Sequence, residues 1–312
     1  MDEANYVQSI VESIVHRMRD QKVKGDVADY IPELAHINPN QFGLSICLAN
    51  GCQLSFGDSD VPFSIQSISK VFTLAIALGR FGDAIWQRVG REPSSHVYNS
   101  GQELEEKNGH PPNPFVNAGA IVTTDALLVS GTPKETLAEI LHFARLAVSD
   151  NEIYINSAVA KSEIATGHQN WALAHMLRAK GNLCNDCELV LGTYFHHCAI
   201  EMTCEQLALF GRCLARIDTK AIHLSETHTQ NLLALMMTCG HYQGSGEFAF
   251  QVGIPAKSGV GGGILACVPG RASIAVWSPG LNQHGNSLLG TAALRELSRA
   301  LNWSAFSSSR PK

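Results

Sequence analysis

Ser67 and Lys70 stand three residues apart in Phe63-Ser64-Ile65-Gln66-Ser67-Ile68-Ser69-Lys70-Val71-Phe72, and an apolar run continues to Leu78. On a helix this spacing sets both side chains on one face. A serine hydroxyl is a weak nucleophile near neutral pH and needs an adjacent base. A lysine amine serves as that base once burial and a neighbouring positive field make its neutral form accessible. The amides that open a helix supply such a field, and they can also receive an oxyanion. The spacing alone is not selective, since a chain of this length holds roughly one Ser-x-x-Lys by accident. A second copy, Ser309-x-x-Lys312, sits in the terminal tail with no apolar helix behind it and carries no functional weight. Four residues of this kind also fit an N-capping serine followed by a solvated lysine.

The elements that must position the pair follow from periodicity. A first helix is expected from Glu3 to Asp20, with Tyr6, Ile10, Val11, Ile14, Val15 and Met18 at helical spacing. Leu44–Leu48 and Gln53–Phe56 read as strands joined by an Asn50-Gly51 turn, and Pro62–Ile65 as a short extended piece before the serine. From Phe72 to Met237 the pattern is almost wholly helical, with segments near 70–90, 117–129, 134–148, 152–164, 169–179, 186–199, 203–216 and 227–238. Strand character returns at Phe248–Val252, Gly263–Val268 and Ala272–Trp277. A helix over Ser287–Leu301 closes the chain before a tail expected to be disordered. This order implies an α/β (α+β) fold, a single antiparallel sheet flanked by the terminal helices, with a large all-helical insert. The expected division is a sheet domain of 1–72 and 240–312 and a helical domain of 73–239, with the active site in the cleft between them.

Composition narrows the function classes. The 312 residues are 45% apolar with net charge −5, which offers no basic footprint for nucleic acid. No run of 18 apolar residues marks a membrane span. The acidic start Met1-Asp2-Glu3 lacks the pattern of an export signal, so a cytoplasmic protein is expected. Nine cysteines, an odd number, then read as reduced thiols. Cys184-x-x-Cys187 has His196-His197 nearby but lacks a second pair, and with no His-Glu-x-x-His present no metal is expected. Gly259 and Gly261 to Gly263 do not form a phosphate loop, because Lys257 precedes the glycines; close approach of backbone to a ligand explains them better.

Longer blocks identify a family. The segment around Ser67, Asn113-Pro114-Phe115-Val116-Asn117-Ala118-Gly119-Ala120-Ile121, and Gly253-Ile254-Pro255-Ala256-Lys257-Ser258-Gly259-Val260-Gly261-Gly262-Gly263-Ile264 resemble the motifs of bacterial serine-dependent glutaminases. Asp29-Tyr30-Ile31-Pro32 and Glu92-Pro93-Ser94 add to the likeness, which spans nearly the whole chain in order. The resemblance implies a β-lactamase or DD-peptidase-like fold and hydrolysis of L-glutamine to L-glutamate and ammonia. It implies no cofactor, and a homo-oligomer, either tetramer or dimer. It makes Ser67 the nucleophile, Lys70 its proton partner and Tyr194 a proton relay. Substrate contacts would come from Tyr30, Gln66, Ser67, Asn117, Glu163, Asn170, Tyr194, Tyr242 and Val260. The backbone N–H groups of Ser67 and Val260 would form the oxyanion hole, with Lys257, Ser258 and Gly259 in support.

Each assignment has a chemical reason beside a plainer reading. Glu163 can pair with a substrate ammonium, or be a solvated helix-face glutamate. Asn117 and Asn170 can donate to a carboxylate, and Asn117 can also cap the helix that follows. The phenols can relay protons and shape a pocket, or pack as half-buried tyrosines. Two positions depart from the family pattern: Gln169 replaces an arginine before Asn170, and His197-Cys198-Ala199 replaces Gln-Cys-Ser, so His197 could titrate near neutrality. A β-lactam hydrolase of the same fold and a non-catalytic amino-acid sensor are the rival readings.

Overall fold

The computed structural model describes residues 3–129, 131–218 and 224–308; the Ser309–Lys312 match and the end of the tail lie outside the described residues. Helix α1 (Glu3–Arg19) precedes strands β1 (Gly43–Leu48), β2 (Gln53–Gly57) and β3 (Phe63–Ser64). Then come α2 (Ser69–Phe81), α3 (Gln102–Glu106), α4 (Asn117–Leu128), α5 (Pro133–Val148), β4 (Tyr154–Ile155), α6 (Ser157–Thr166), α7 (His168–Ala179) and α8 (Cys187–Cys198). The remainder is β5 (Ile200–Met202), α9 (Cys204–Leu214), α10 (Glu226–Cys239), α11 (Ser245–Gln251), β6 (Ala256–Ser258), β7 (Gly263–Val268), β8 (Ala272–Trp277) and α12 (Leu288–Leu301).

Alternation along three strands decides what covers each side of the main sheet. The sheet is antiparallel in the order β2-β1-β8-β7-β6. Leu44, Ile46, Ile264, Ala266, Ile274 and Val276 point to a face packed by α1 and α12. Cys47, Leu265, Cys267, Ala275 and Trp277 point to the other, where α9 lies with Leu207, Ala208 and Phe210. Successive strand side chains alternate between faces, so a strand covered on both sides reads as a continuous apolar run. Helix α9 reaches the sheet because Gly211 has no Cβ; one there would stand 2.0 Å from Ser273 Oγ. The core under this face continues into the helices, taking in Phe72, Leu74 and Ile140.

The fold class expected from sequence is the one observed, with three local differences. Phe248–Val252 is not a strand but lies in and just after α11: Ser245, Phe248 and Val252 are buried at helical spacing, while Phe250 is 88% exposed. A short apolar run does not distinguish the two periods. The sheet is not single, since β3, β5 and β4 form a second one through pairs such as Phe63↔Met202 and Ile155↔Ile200. Strands of two or three residues are too short to show alternation. The segment 152–164 is not helical throughout, because Asn156 ends β4 and caps α6, accepting from the N–H groups of Ala158 and Val159.

Two helices, α2 and α4, are buried nearly all round, as a helix apolar on every face must be. Helix α4 is tied at its far end by Asp125. This fully buried carboxylate meets Arg88 Nη2 at 2.5 Å and accepts from the N–H groups of Cys184 and Asn185 at 3.0 and 2.8 Å. Removing one partner of a buried pair leaves the other charge uncompensated, typically at about 3–5 kcal/mol. Asp125→Ala is therefore expected to lower unfolding free energy by about that amount, measured by urea denaturation, and a loss near zero would refute the assignment.

Candidate active site

Ser67 sits in a 3-10 turn (Gln66–Ile68) between β3 and α2, almost fully buried at the floor of a pocket. Helix α2 proper starts two residues later than the serine. Gln66 holds a left-handed φ of 49° without being glycine, a costly conformation that surrounding bonds must enforce. Its buried side chain supplies them, donating to Ser64 Oγ at 3.0 Å and to Glu163 Oε1 at 2.8 Å. The glycine-rich segment approaches this turn directly. A Cβ on Gly259 would stand 2.4 Å from the Ile65 carbonyl oxygen, and one on Gly261 2.2 Å from that of Ser64. The glycines therefore admit a neighbouring stretch of the chain itself, and Val260 between them lines the same pocket as Ser67.

Lys70, the second residue of α2, is fully buried. Its Nζ donates to Asn117 Oδ1 at 2.7 Å and to the Phe115 carbonyl at 3.2 Å. Asn117 Nδ2 in turn donates to Asn170 Oδ1 at 2.9 Å. Asn117 is the first residue of α4 rather than its cap. Val116 stands at the cap position with no side-chain capping bond, and Asn113 Oδ1 holds the turn before the helix, accepting from the N–H groups of Phe115 and Val116. Burial pushes the Lys70 amine down from 10.5 to about 8, while Cys198 and Glu163 pull the other way. Burial pushes Glu163 up to about 7, opposed by the Gln66 hydrogen bond and by Lys70.

The pocket measures about 120 Å³. It gathers Tyr30, Gln66, Ser67, Asn117, Glu163, Asn170, Tyr194 and Val260 from seven separate elements and loops of the chain. Tyr194 is buried on α8, with the Lys70 amine 5.9 Å from its ring centroid. Burial raises its phenol well above the usual range. The Tyr30 residue is 55% exposed at the rim, while its hydroxyl end is enclosed near Tyr98, Tyr242 and Glu163. Tyr242 stands behind this pocket, its ring 4.5 Å from that of Tyr98 and its phenol beside the Ser67 side chain. It lines a larger adjoining cavity of about 420 Å³ that contains neither Ser67, Lys70 nor Glu163. Lys257 is buried behind Tyr242, 4.7 Å from the ring centroid, and donates to the carbonyls of Gly240 and Ser258. Lys257, Ser258 and Gly259 do not line the pocket.

Several lining residues carry no sequence signal. Tyr98 and Asn99 come from an irregular loop, Thr166 and Gly167 from the α6–α7 junction, and Cys198 from the end of α8. Gln169, the first departure from the family pattern, reaches the Asn99 carbonyl at 2.9 Å. His197, the second, does not titrate near neutrality: burial, with Lys70 and His196 adding to it, pushes it down to about 3. The unfolded imidazole titrates near 6.5, so protons favour the unfolded chain as pH falls from 6.5 towards 3, and have no such effect above 6.5. The penalty is about 2 kcal/mol at pH 5. His197→Gln is expected to lose this part of the acid slope, seen by comparing denaturation midpoints of both proteins at pH 5 and pH 8; parallel slopes would contradict it. Glu163 works in the opposite sense in both proteins and cancels.

No group of histidine, cysteine or acidic side chains that could hold a metal is found among the described residues, and no helix among them is long and apolar enough to cross a membrane. The glutaminase family model matches residues 25–306. A glutaminase of Methylobacterium nodulans is 55% identical over 302 residues, covering 96% of this chain and 98% of its own. The solved probable glutaminase YbaS superposes with a TM-score of 0.92 at 35% identity, over 97% of this chain and 99% of that one. A probable glutaminase from Bacillus subtilis, solved in complex with 6-diazo-5-oxo-L-norleucine, gives 0.84 at 31% identity, covering 98% of each chain. With Ser67 and Glu163 in one pocket, Lys70 bonded to the lining residue Asn117, and likeness along nearly its whole length, the chain belongs to the glutaminase family.

Proposed function

We propose that this chain hydrolyses L-glutamine to L-glutamate and ammonia through a γ-glutamyl ester on Ser67. The observation that carries the reading is the Lys70 amine. It is buried and lowered to about 8, and its bonds go to neutral oxygens, so a proton-accepting form is reachable near physiological pH. The ligand of the Bacillus subtilis relative adds support, since 6-diazo-5-oxo-L-norleucine places a carbonyl where glutamine has its amide carbonyl.

In this scheme Lys70 takes the Ser67 proton as the hydroxyl oxygen bonds to the side-chain carbonyl carbon. The oxyanion rests on the N–H groups of Ser67 and Val260. Collapse breaks the C–N bond, and the leaving nitrogen takes a proton from Lys70, directly or through Tyr194, to depart as ammonia. Water then adds to the ester by the same route and releases glutamate. Glu163 pairs with the substrate ammonium, while Asn117, Asn170 and Tyr30 meet its carboxylate. Tyr242 and Lys257 brace the wall beside Ser67. The reaction would run between a sheet half, 1–72 with 240–312, and a helical half, 73–239.

Ammonia release from L-glutamine and L-asparagine by the purified protein tests the activity. Acid-quenched mass spectrometry of the peptide containing Ser67 tests the intermediate. Glutamine-specific release with a glutamyl adduct on Ser67 is expected; absence of release from glutamine by folded protein would end the reading. Glu163→Gln keeps the acceptor shape but removes the charge. Losing one partner of a buried charge pair costs about 2–3 kcal/mol here, so KM is expected to rise about 30- to 150-fold with kcat within about threefold. An unchanged KM in steady-state kinetics would exclude the ammonium role.

A further inference from the structure

Three helices that carry the reaction groups meet at one side chain that takes no part in the steps above. His197, on α8 one turn after Tyr194, is fully buried. Its Nδ1 lies 2.8 Å from Ser69 Oγ and its Nε2 3.1 Å from Thr124 Oγ1. Ser69 opens α2 directly before Lys70, and Thr124 lies on α4 about two turns beyond Asn117. The ring also stands edge-on to Tyr194, with centroids 5.3 Å apart at 88°.

The hydrogens in this cluster have one consistent arrangement. Thr124 Oγ1 donates its single hydrogen to the Ala120 carbonyl at 2.8 Å. It can therefore only accept from the ring, so Nε2 carries the hydrogen. A neutral imidazole has one donor and one acceptor nitrogen, which leaves Nδ1 to accept from the Ser69 hydroxyl. Burial keeps the ring neutral, so this tautomer persists across the pH range in which Lys70 and Glu163 titrate.

We infer that His197 is a positioning residue for the hydrolysis: by bonding Ser69 and Thr124 at once, it fixes the placement of the helices that present Lys70, Asn117 and Tyr194 to the substrate. This rests on reading those three as reaction groups. A histidine that merely filled space would be replaceable by any side chain of similar bulk. One that clamps two hydroxyls is replaceable only by a side chain with an acceptor and a donor at a comparable separation, as in the glutamine amide.

Steady-state kinetics of His197→Gln, His197→Leu and Thr124→Val separate these cases, each variant being checked for folding by its melting transition. Small misplacements of reacting groups cost up to about 100-fold in rate, so His197→Leu is expected to lower kcat about 30-fold. KM is expected to rise far less than kcat falls, because Glu163 and Asn170 lie on α6 and α7, off the clamp, and Asn117 shares the carboxylate with Asn170 and Tyr30. His197→Gln is expected to keep kcat within about threefold of the parent. Thr124→Val keeps the bulk and removes the acceptor of Nε2–H together with the hydroxyl's local bond to the Ala120 carbonyl one turn back in α4, and it decides the matter if His197→Leu fails to fold; a kcat about fivefold lower is expected. Parental kcat in folded His197→Leu, parental kcat in Thr124→Val, or a glutamine variant as slow as the leucine one would overturn the inference. The Ser67→Ala control keeps the two readings apart. If it stays active, the proposed mechanism fails. If it is inactive while His197→Leu is normal, only the clamp fails.

Discussion

Replacing Ser67 by alanine is expected to lower turnover of L-glutamine by about 10⁴-fold or more, with substrate binding nearly unchanged. The change removes one oxygen and adds no volume, and the backbone of the 3-10 turn is held by Gln66, whose bonds to Ser64 and Glu163 do not involve the hydroxyl. The Ser67 N–H stays in place, as does Val260. The groups expected to grip the amino-acid end, Glu163 and Asn170, come from other helices. What disappears is the atom proposed to form the ester. Each tenfold in rate corresponds to about 1.4 kcal/mol of barrier, so the expected loss is about 5 kcal/mol or more. A coupled ammonia assay gives the rate, and calorimetry with glutamine gives the affinity. Residual turnover within tenfold of the parent would rule out Ser67 as the nucleophile.

Lys70→Met separates catalysis from stability in a way few substitutions do. Methionine fits the volume but cannot accept a proton, and loss of a general base typically costs 10²–10⁴-fold, so kcat is expected to fall about 1000-fold. Stability is expected to move the other way. The amine titrates at about 8 when folded against 10.5 in its ordinary state. The folded chain therefore bears the full penalty of a buried charge below pH 8, and that penalty fades as pH rises from 8 to 10.5. At pH 7 it amounts to about 3 kcal/mol. Methionine removes the penalty but leaves Asn117 Oδ1 and the Phe115 carbonyl without their donor, which returns about 1–3 kcal/mol. The net expectation is stability at or above that of the parent at pH 7, with the advantage shrinking at pH 10. Urea denaturation at the two pH values checks both sign and window, and a variant markedly less stable at pH 7 would show that the amine is not penalised by burial.

Sequence and structure differ in instructive places. Ser67 and Lys70 were legible because one turn of helix and an apolar continuation are local facts, and helix α2 needs only that continuation to form. Asn117 was legible as a polar residue opening an apolar helix, but not its bond to Lys70, which depends on how α2 and α4 cross. Glu163 on its own reads as an ordinary helix-face glutamate; only burial against Gln66 makes it a group titrating at about 7. Tyr98 and Cys198 could not have been found, because a loop and a helix end acquire meaning only when the fold closes around them. The reading of His197 erred for a related cause: a histidine's usual titration range is a property of exposed imidazole, and this one is enclosed.

The small volume of the reaction pocket has a consequence for which glutamine can be used. Space of about 120 Å³, capped at its rim by Tyr30 and walled by Tyr98, is room on the scale of a single amino acid. A glutamine residue inside a polypeptide has spent its amino and carboxyl groups on peptide bonds, so it brings neither charge that the proposed contacts with Glu163 and the asparagines require, and its neighbours in the chain would collide with the rim. Proteins and peptides rich in glutamine are thereby expected to pass this enzyme untouched, and its ammonia to come from the free amino-acid pool alone.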